Sequence, residues 1–165
     1  MDSSQEKLLD YSYFVYGDSP NPYTHRKRII SKIREYLDRY NIDVIIFEKV
    51  NLYVGQHISK LNNIMSLAFI QATIINEFSE DCDIIQVDVR SWKARVLSSA
   101  KADKNDAVNY VRNHYPDVNL EIVVEHKRKD NEIIINHDLA DSICIACAGC
   151  RMYNELKVKG LVNFS

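Results

Sequence analysis

Ile42-Asp43-Val44-Ile45-Ile46-Phe47-Glu48 is the stretch that decides the architecture. From Val44 to Phe47 it is wholly apolar and mostly β-branched, and it closes on a carboxylate. A run without polar alternation reads as a strand buried on both faces, as in parallel and mixed sheets. The segments around it alternate in kind. Upstream, Tyr23–Tyr40 carries Ile29, Ile30, Ile33, Leu37 and Tyr40 near a 3.6 period, with Arg26, Lys27, Arg28, Lys32, Arg34 and Arg39 on its other face. Downstream, Ser59–Phe78 reads as a long helix with Leu61, Ile64, Met65, Ala68, Ala72 and Ile75 on its apolar side, and Asp83–Val89 as a further strand. Alternating strands and helices predict an α/β fold with a mostly parallel sheet.

The rest of the chain fits that frame. The aromatic run Leu8–Tyr16 reads as a strand and Gly17–Pro22 as a loop. Ser91–Ser98 and Asp103–Tyr115 read as helices, the second stopped by Pro116. Residues 119–125 and 132–135 read as a hairpin or extended excursion around His126–Asn131, and a last helix runs from Asp138 to about Leu156. There is no internal repeat, and residues 1–165 are expected to form a single domain.

Composition narrows the function. The chain has 165 residues, 46% hydrophobic and 27% charged, with only 4 Gly and 3 Pro, which excludes collagen-like and low-complexity classes. The longest apolar runs fall short of the ~20 residues of a membrane span, so no membrane partner is expected. The N-terminal Met1–Glu6 is polar and unlike a signal peptide, and the four cysteines are too clustered for a secreted disulfide frame, so a cytoplasmic location is expected. Net charge is −2. A nucleic-acid binder of this composition must gather its cations locally. It does so in three places: the Tyr23–Tyr40 helix, the segment holding Arg90, Lys93, Arg95, Lys101 and Lys104, and Lys127-Arg128-Lys129. Each cluster is also what a solvated helix or loop surface would show.

Three acids carry chemistry. Glu48 ends a buried strand, and ligands of open α/β sheets bind at strand C-termini. Asp138 and Asp141 stand at i and i+3 at the start of the last helix, so their carboxylates share a face. Helix capping would account for them on its own. The following Ser142–Ala148, however, is small or apolar, and two acids leading into a buried helix are costly without a cation. Hard divalent cations such as Mg²⁺ take carboxylate oxygens, and a strand-end Glu with a helical Asp pair suits a two-metal phosphoryl-transfer site. Cys144, Cys147 and Cys150 have the spacing of an iron–sulfur run, but on a continuous helix steps of three spread the thiols, and they read as small apolar packing. Trp92 reads as core. Tyr53, in the loop after Glu48, is a candidate for stacking on bases.

These residues together resemble the RuvC-type Holliday junction resolvases, nearest the phage-encoded branch. The motifs are Ile45–Val50, the helix Leu61–Phe78, Val89–Lys93, Ala102–Val108 and His137–Ser142, spanning about residues 8–153 in the family's order. The resemblance implies an RNase H-like mixed sheet flanked by helices, Mg²⁺-dependent cleavage (Mn²⁺ as the alternative ion) and a homodimer acting on branched DNA such as four-way junctions. A phage-encoded member would work in the host cytoplasm. By motif position Glu48, Asp138 and Asp141 correspond to metal carboxylates, and Lys93 and Lys104 to basic residues near the scissile phosphate. Arg90, Lys93, Arg95, Lys101, Lys104 and Tyr53 are the expected DNA contacts. Apolar residues on a second face of Ser59–Phe78 (Leu67, Phe69 and Ile70) make that helix the expected dimer contact.

Three departures from the family pattern stand out. The opening strands and their Asp are not evident before Leu8, and Asp2-Ser3-Ser4 lies too close to Leu8 to replace them; the strands are expected to be missing from the N-terminus. Residues 117–136 form an insertion relative to the bacterial pattern. Asn51 stands where an aromatic is expected. Two other readings are kept open: another RNase H-like nuclease, for example one acting on RNA–DNA hybrids, and a catalytically inactive binder of branched DNA.

Overall fold

The computed structural model describes residues 1, 6–13, 22–50, 59–124 and 131–159, with the side chains of 22–24 and 59–63 excepted. Among them the order is α1 (Pro22–Arg39), β1 (Val44–Glu48), α2 (Ser59–Phe78), β2 (Asp83–Val87), α3 (Val89–Leu97), α4 (Lys104–His114), β3 (Glu121–Val124), β4 (Glu132–Ile135) and α5 (His137–Val158). The chain divides into two compact units, Phe14–Gln86 with Ser165, and Met1–Tyr13 with Val87–Phe164.

The first unit is built on β1 and β2, which pair with each other. The Asp83 N–H donates to the Asp43 carbonyl at 2.9 Å, at the leading end of both strands. Pairing beyond that point is possible only if the strands run parallel, with α2 as the crossover. α1 and α2 pack together through Ile29, Ile74 and Phe78, with Ile30, Ile33, Leu37, Ile45, Phe47 and Ile70 around them. The α1 stripe is the one its 3.6 period predicts. The α2 stripe is not. Its core line is Ile70, Ile74 and Phe78, one turn apart each, whereas Met65 is 62% exposed and Ala72 is also exposed. The Leu61–Ile75 pattern misled because α2 is apolar on more than one side, and periodicity alone does not say which side meets the sheet.

The second unit is mainly helical. α5 packs against both α3 and α4. Its buried positions Leu139, Ala140, Ile143, Cys144, Cys147, Ala148, Cys150 and Tyr153 cover a broad arc. That arc explains the three cysteines. Steps of three do spread them around the helix, and with a helix on each side all three are covered. All three are buried free thiols that pack as small apolar groups, and burial pushes the Cys144 thiol up to about 12, with Cys147 and Asp141 adding to the shift. Trp92 is fully buried, as expected of a core residue. Asp88 caps α3, its side chain accepting from the Arg90 N–H, so β2 ends at Val87, two residues before the predicted strand end at Val89.

β3 and β4 form an antiparallel hairpin with Val123 opposite Ile133 and Ile122 opposite Ile134. The Asn136 N–H closes its base on the Leu120 carbonyl at 2.7 Å. The predicted strand Leu8–Tyr16 is not found over residues 8–13; Phe14–Tyr16 lie outside the described residues. Side chains hold this segment instead of a ladder. Tyr115 Oη donates to the Glu6 carbonyl at 2.9 Å, and the Asn119 N–H donates to Tyr11 Oη at 3.0 Å. Leu9, Tyr11 and Tyr13 stay exposed. An alternating aromatic run forms a strand only beside a partner edge.

Candidate active site

Asp138 and Asp141 sit in the opening turns of α5. The cap of that helix is Asn136, whose Oδ1 accepts from the Leu139 N–H at 2.9 Å. Asn136 is buried, and its side chain satisfies a donor that would otherwise be orphaned. Ser142 Oγ turns back to the Leu139 carbonyl at 2.8 Å. Capping is therefore done by neighbours, and neither aspartate is needed for it. Asp138 is exposed and Asp141 half-buried, and at i and i+3 they lie on one face beside the positive end of the helix dipole. His137, the first residue of α5, has a buried Nδ1 without a hydrogen-bond partner. The spacing His137–Asp141, one helical turn, is the sequence signal that would have drawn attention to it.

Glu48 is half-buried at the C-terminal end of β1, where Gln71 Nε2 donates to its main-chain carbonyl. That bond ties the strand end to α2. Glu48 belongs to the first unit and the aspartates to the second. Among the described residues no group of three or more His, Cys, Asp or Glu side chains gathers as a metal site.

The cations predicted to meet DNA are placed as follows. Lys93 Nζ donates to the Ala102 carbonyl at 2.7 Å, bracing the turn between α3 and α4, and lies 5.5 Å from the centre of the Trp92 ring. Lys101 precedes Ala102 on that turn, Lys104 opens α4 two residues after it, and both are exposed. Ser98 ends α3 in the left-handed region (φ 59°), and Asp103 with Asp106 forms a capping box that starts α4. The structure thus brings Lys93, Lys101 and Lys104 to one short turn. Arg90 is exposed near the start of α3. Arg95 is used differently: it pairs with Glu155 of α5, and its carbonyl accepts from Arg151 Nη1 at 2.8 Å. Glu155 is fourteen residues beyond Asp141, about 21 Å along a helix axis, so Arg95 is held well along α5 from the carboxylates. Tyr53 lies outside the described residues.

The sequence reading missed a polar network on the inner side of α5. Arg151 makes a two-pronged contact with Glu6, Nε to Oε1 at 2.7 Å and Nη2 to Oε2 at 2.9 Å, and Nη2 also reaches Tyr110 Oη at 3.3 Å. Tyr115 Oη meets Cys147 Sγ at 3.2 Å. The Arg151 bond holds the Glu6 carboxyl below its ordinary value. Burial, with Cys147 beside it, pushes the Tyr110 phenol up to about 12. No local motif announces a pair 145 residues apart.

No protein-family model and no curated protein matches the chain. Among solved structures, RuvC of Thermus thermophilus superposes with a TM-score of 0.57 over 90% of this chain and 80% of that one, at 15% identity. The fold is RuvC-like. It is the mixed α/β, RNase H-like architecture expected from the motif order.

Proposed function

We propose that the chain is a divalent-metal-dependent endodeoxyribonuclease that cuts four-way junctions and related branched DNA as a homodimer. The observation that carries this reading is the paired carboxylate turn of α5, Asp138 and Asp141 one turn apart with Asn136 supplying the cap. The RuvC-like fold and the motif set, which is nearest the phage-encoded branch, support it.

The donor chemistry fits Mg²⁺, or Mn²⁺, because every proposed ligand is a carboxylate oxygen. Asp138, Asp141 and Glu48 would hold the ion. Three carboxylates repel one another when nothing neutralises them, and a bound cation would offset that repulsion. Once bound, the ion supplies charge stabilisation at the phosphoryl oxygens. Lys93, Lys101 and Lys104 would position the phosphate from the α3–α4 turn, with Arg90 and Tyr53 as further DNA contacts. Hydrolysis bonds a water oxygen to phosphorus, breaks one bridging P–O bond and leaves a proton on the departing alcohol. A second copy would dock through α2, which exposes Met65 and Leu67, and two-fold symmetry would present two sites to two like strands.

The test is cleavage of a mobile four-way junction with Mg²⁺. Asp138→Asn is expected to lower turnover at least 100-fold and to leave junction affinity within about threefold, as removal of a group acting on the reaction and not on binding should. Unchanged turnover refutes the assignment. Binding without cleavage by the wild-type chain would identify an inactive junction binder, and preference for an RNA–DNA hybrid would identify a different nuclease of this fold.

A further inference from the structure

α1 carries six lysines and arginines, Arg26, Lys27, Arg28, Lys32, Arg34 and Arg39, against Glu35 and Asp38. Its carboxylates are shared. Glu77 of α2 holds both Arg26, at 2.8 Å, and Arg34, at 3.4 Å. Glu35 holds both Lys32, at 3.0 Å, and Arg39, at 2.9 Å. Glu77 therefore leaves one positive charge over. Lys27 and Arg28 are exposed and have no carboxylate within 4 Å among the described residues.

These cations are crowded and held in place. Arg28 and Lys32 stand at i and i+4, where like charges oppose the helix. Arg34 lies 5.3 Å from the centre of the Phe78 ring, and Lys32 5.1 Å from that of Tyr36. A groove of about 950 Å³ beside α1 sets Arg26, Lys27 and Arg34 against Glu35, Asp38 and Glu77, so the excess positive charge of the face comes from Arg28, Lys32 and Arg39 outside it. Closely spaced like charges gain from a polyanion, which offsets their repulsion. The apolar residues of α1 face its own core, so the face offers a protein partner no apolar anchor of the kind that dominates such interfaces.

We propose that α1 is a second phosphate-binding face, which holds a duplex arm of the DNA. This rests on the nuclease reading for its substrate but uses none of that site's residues. From Arg26 to Arg39 the helix runs about 20 Å, and a duplex presents one negative charge per about 1.7 Å of its axis.

The experiment uses the full chain without divalent metal, so that DNA stays uncut, and measures affinity for a four-way junction and for a linear duplex from 50 to 300 mM salt. Lys27→Ala with Arg28→Ala removes two cations that have no carboxylate partner. It is expected to make the log–log salt slope shallower by about 1.8 and to weaken binding up to about sixtyfold at 0.1 M salt. Arg26→Gln with Arg34→Gln tests the groove itself, and circular dichroism checks its folding. Wild-type slope and affinity in the Lys27/Arg28 variant overturn the proposal while leaving the nuclease reading intact. α1-dependent binding by a chain that cuts no DNA supports the face and sinks the nuclease reading. A chain that binds no DNA overturns both. Equal, α1-dependent binding to polyglutamate would overturn the assignment to DNA.

Discussion

Breaking the Glu6–Arg151 contact should loosen the second unit by a measurable amount. Both charged side chains are about one-third exposed, 32% for Arg151 and 37% for Glu6. A hydrogen bond to a charged group contributes ~1.5–3 kcal/mol when buried, and an exposed pair only ~0.2–1 kcal/mol. Two parallel bonds in this half-covered setting should couple by about 1–2 kcal/mol. Glu6→Gln keeps the shape of the side chain and loses mainly the charge. For a chain of this size, where 1 kcal/mol shifts Tm by about 2–4 °C, it should lower Tm by about 2–8 °C. Arg151→Met also strands the Arg95 carbonyl and the Tyr110 hydroxyl, and should cost more, about 2–4 kcal/mol.

The assay is a double-mutant cycle of Glu6→Gln, Arg151→Met and both together, by urea unfolding at pH 7 and again near pH 2.5. The folded Glu6 carboxyl titrates below its unfolded value. Its contribution is therefore complete above the unfolded value, near 4.3, and disappears as pH falls through the lower, folded one. The coupling should be about 1–2 kcal/mol at pH 7 and smaller in acid. A coupling below about 0.3 kcal/mol at neutral pH, or one that survives acid unchanged, refutes the reasoning.

Two further outcomes follow from backbone chemistry. Ser98 ends α3 at a positive φ of 59°, so Ser98→Gly should raise stability by about 0.5–1 kcal/mol in thermal or urea unfolding. Asn136→Ala removes the side-chain cap of α5 and should cost about 0.5–2 kcal/mol; faster amide exchange over residues 138–140 would locate the effect at the turn that carries Asp138.

The elements set by local chemistry were legible. α2 has the bounds Ser59–Phe78 in both sequence and structure, because its apolar and helix-favouring run is long and uninterrupted. α4 ends at His114 ahead of Pro116, where a helix must stop. β1 was clear from its apolar run. What failed depended on distant partners. The Leu8–Tyr16 run has strand composition, but residues 8–13 are held by the side chains of Tyr11 and Tyr115 and by Glu6, none of which a local pattern reveals. The inner face of α2 was misassigned for the same reason, since an all-round apolar helix leaves the choice of face to the elements packed on it.

At the carboxylate turn the gap between sequence and structure is a shift of one residue, and it matters. Beginning the helix at Asp138 gave that aspartate an ordinary reason to exist, as cap or first-turn acid. The structure begins it at His137 and gives the cap to Asn136, which lies between the predicted hairpin and the predicted helix start. Asn is as good a cap as Asp, so the neutral residue does the structural work. An exposed and a half-buried carboxylate are then left on one face of the following turns. A helix needing only to start well would gain a few tenths to 1 kcal/mol from one acid there, and would gain nothing from placing a second at i+3, where the two repel. A cation held by the pair, as in the proposed metal site, would offset that repulsion. That argument rests on Asn136 holding the cap, and it would fail if Asn136→Ala left α5 unchanged while Asp138→Asn frayed it.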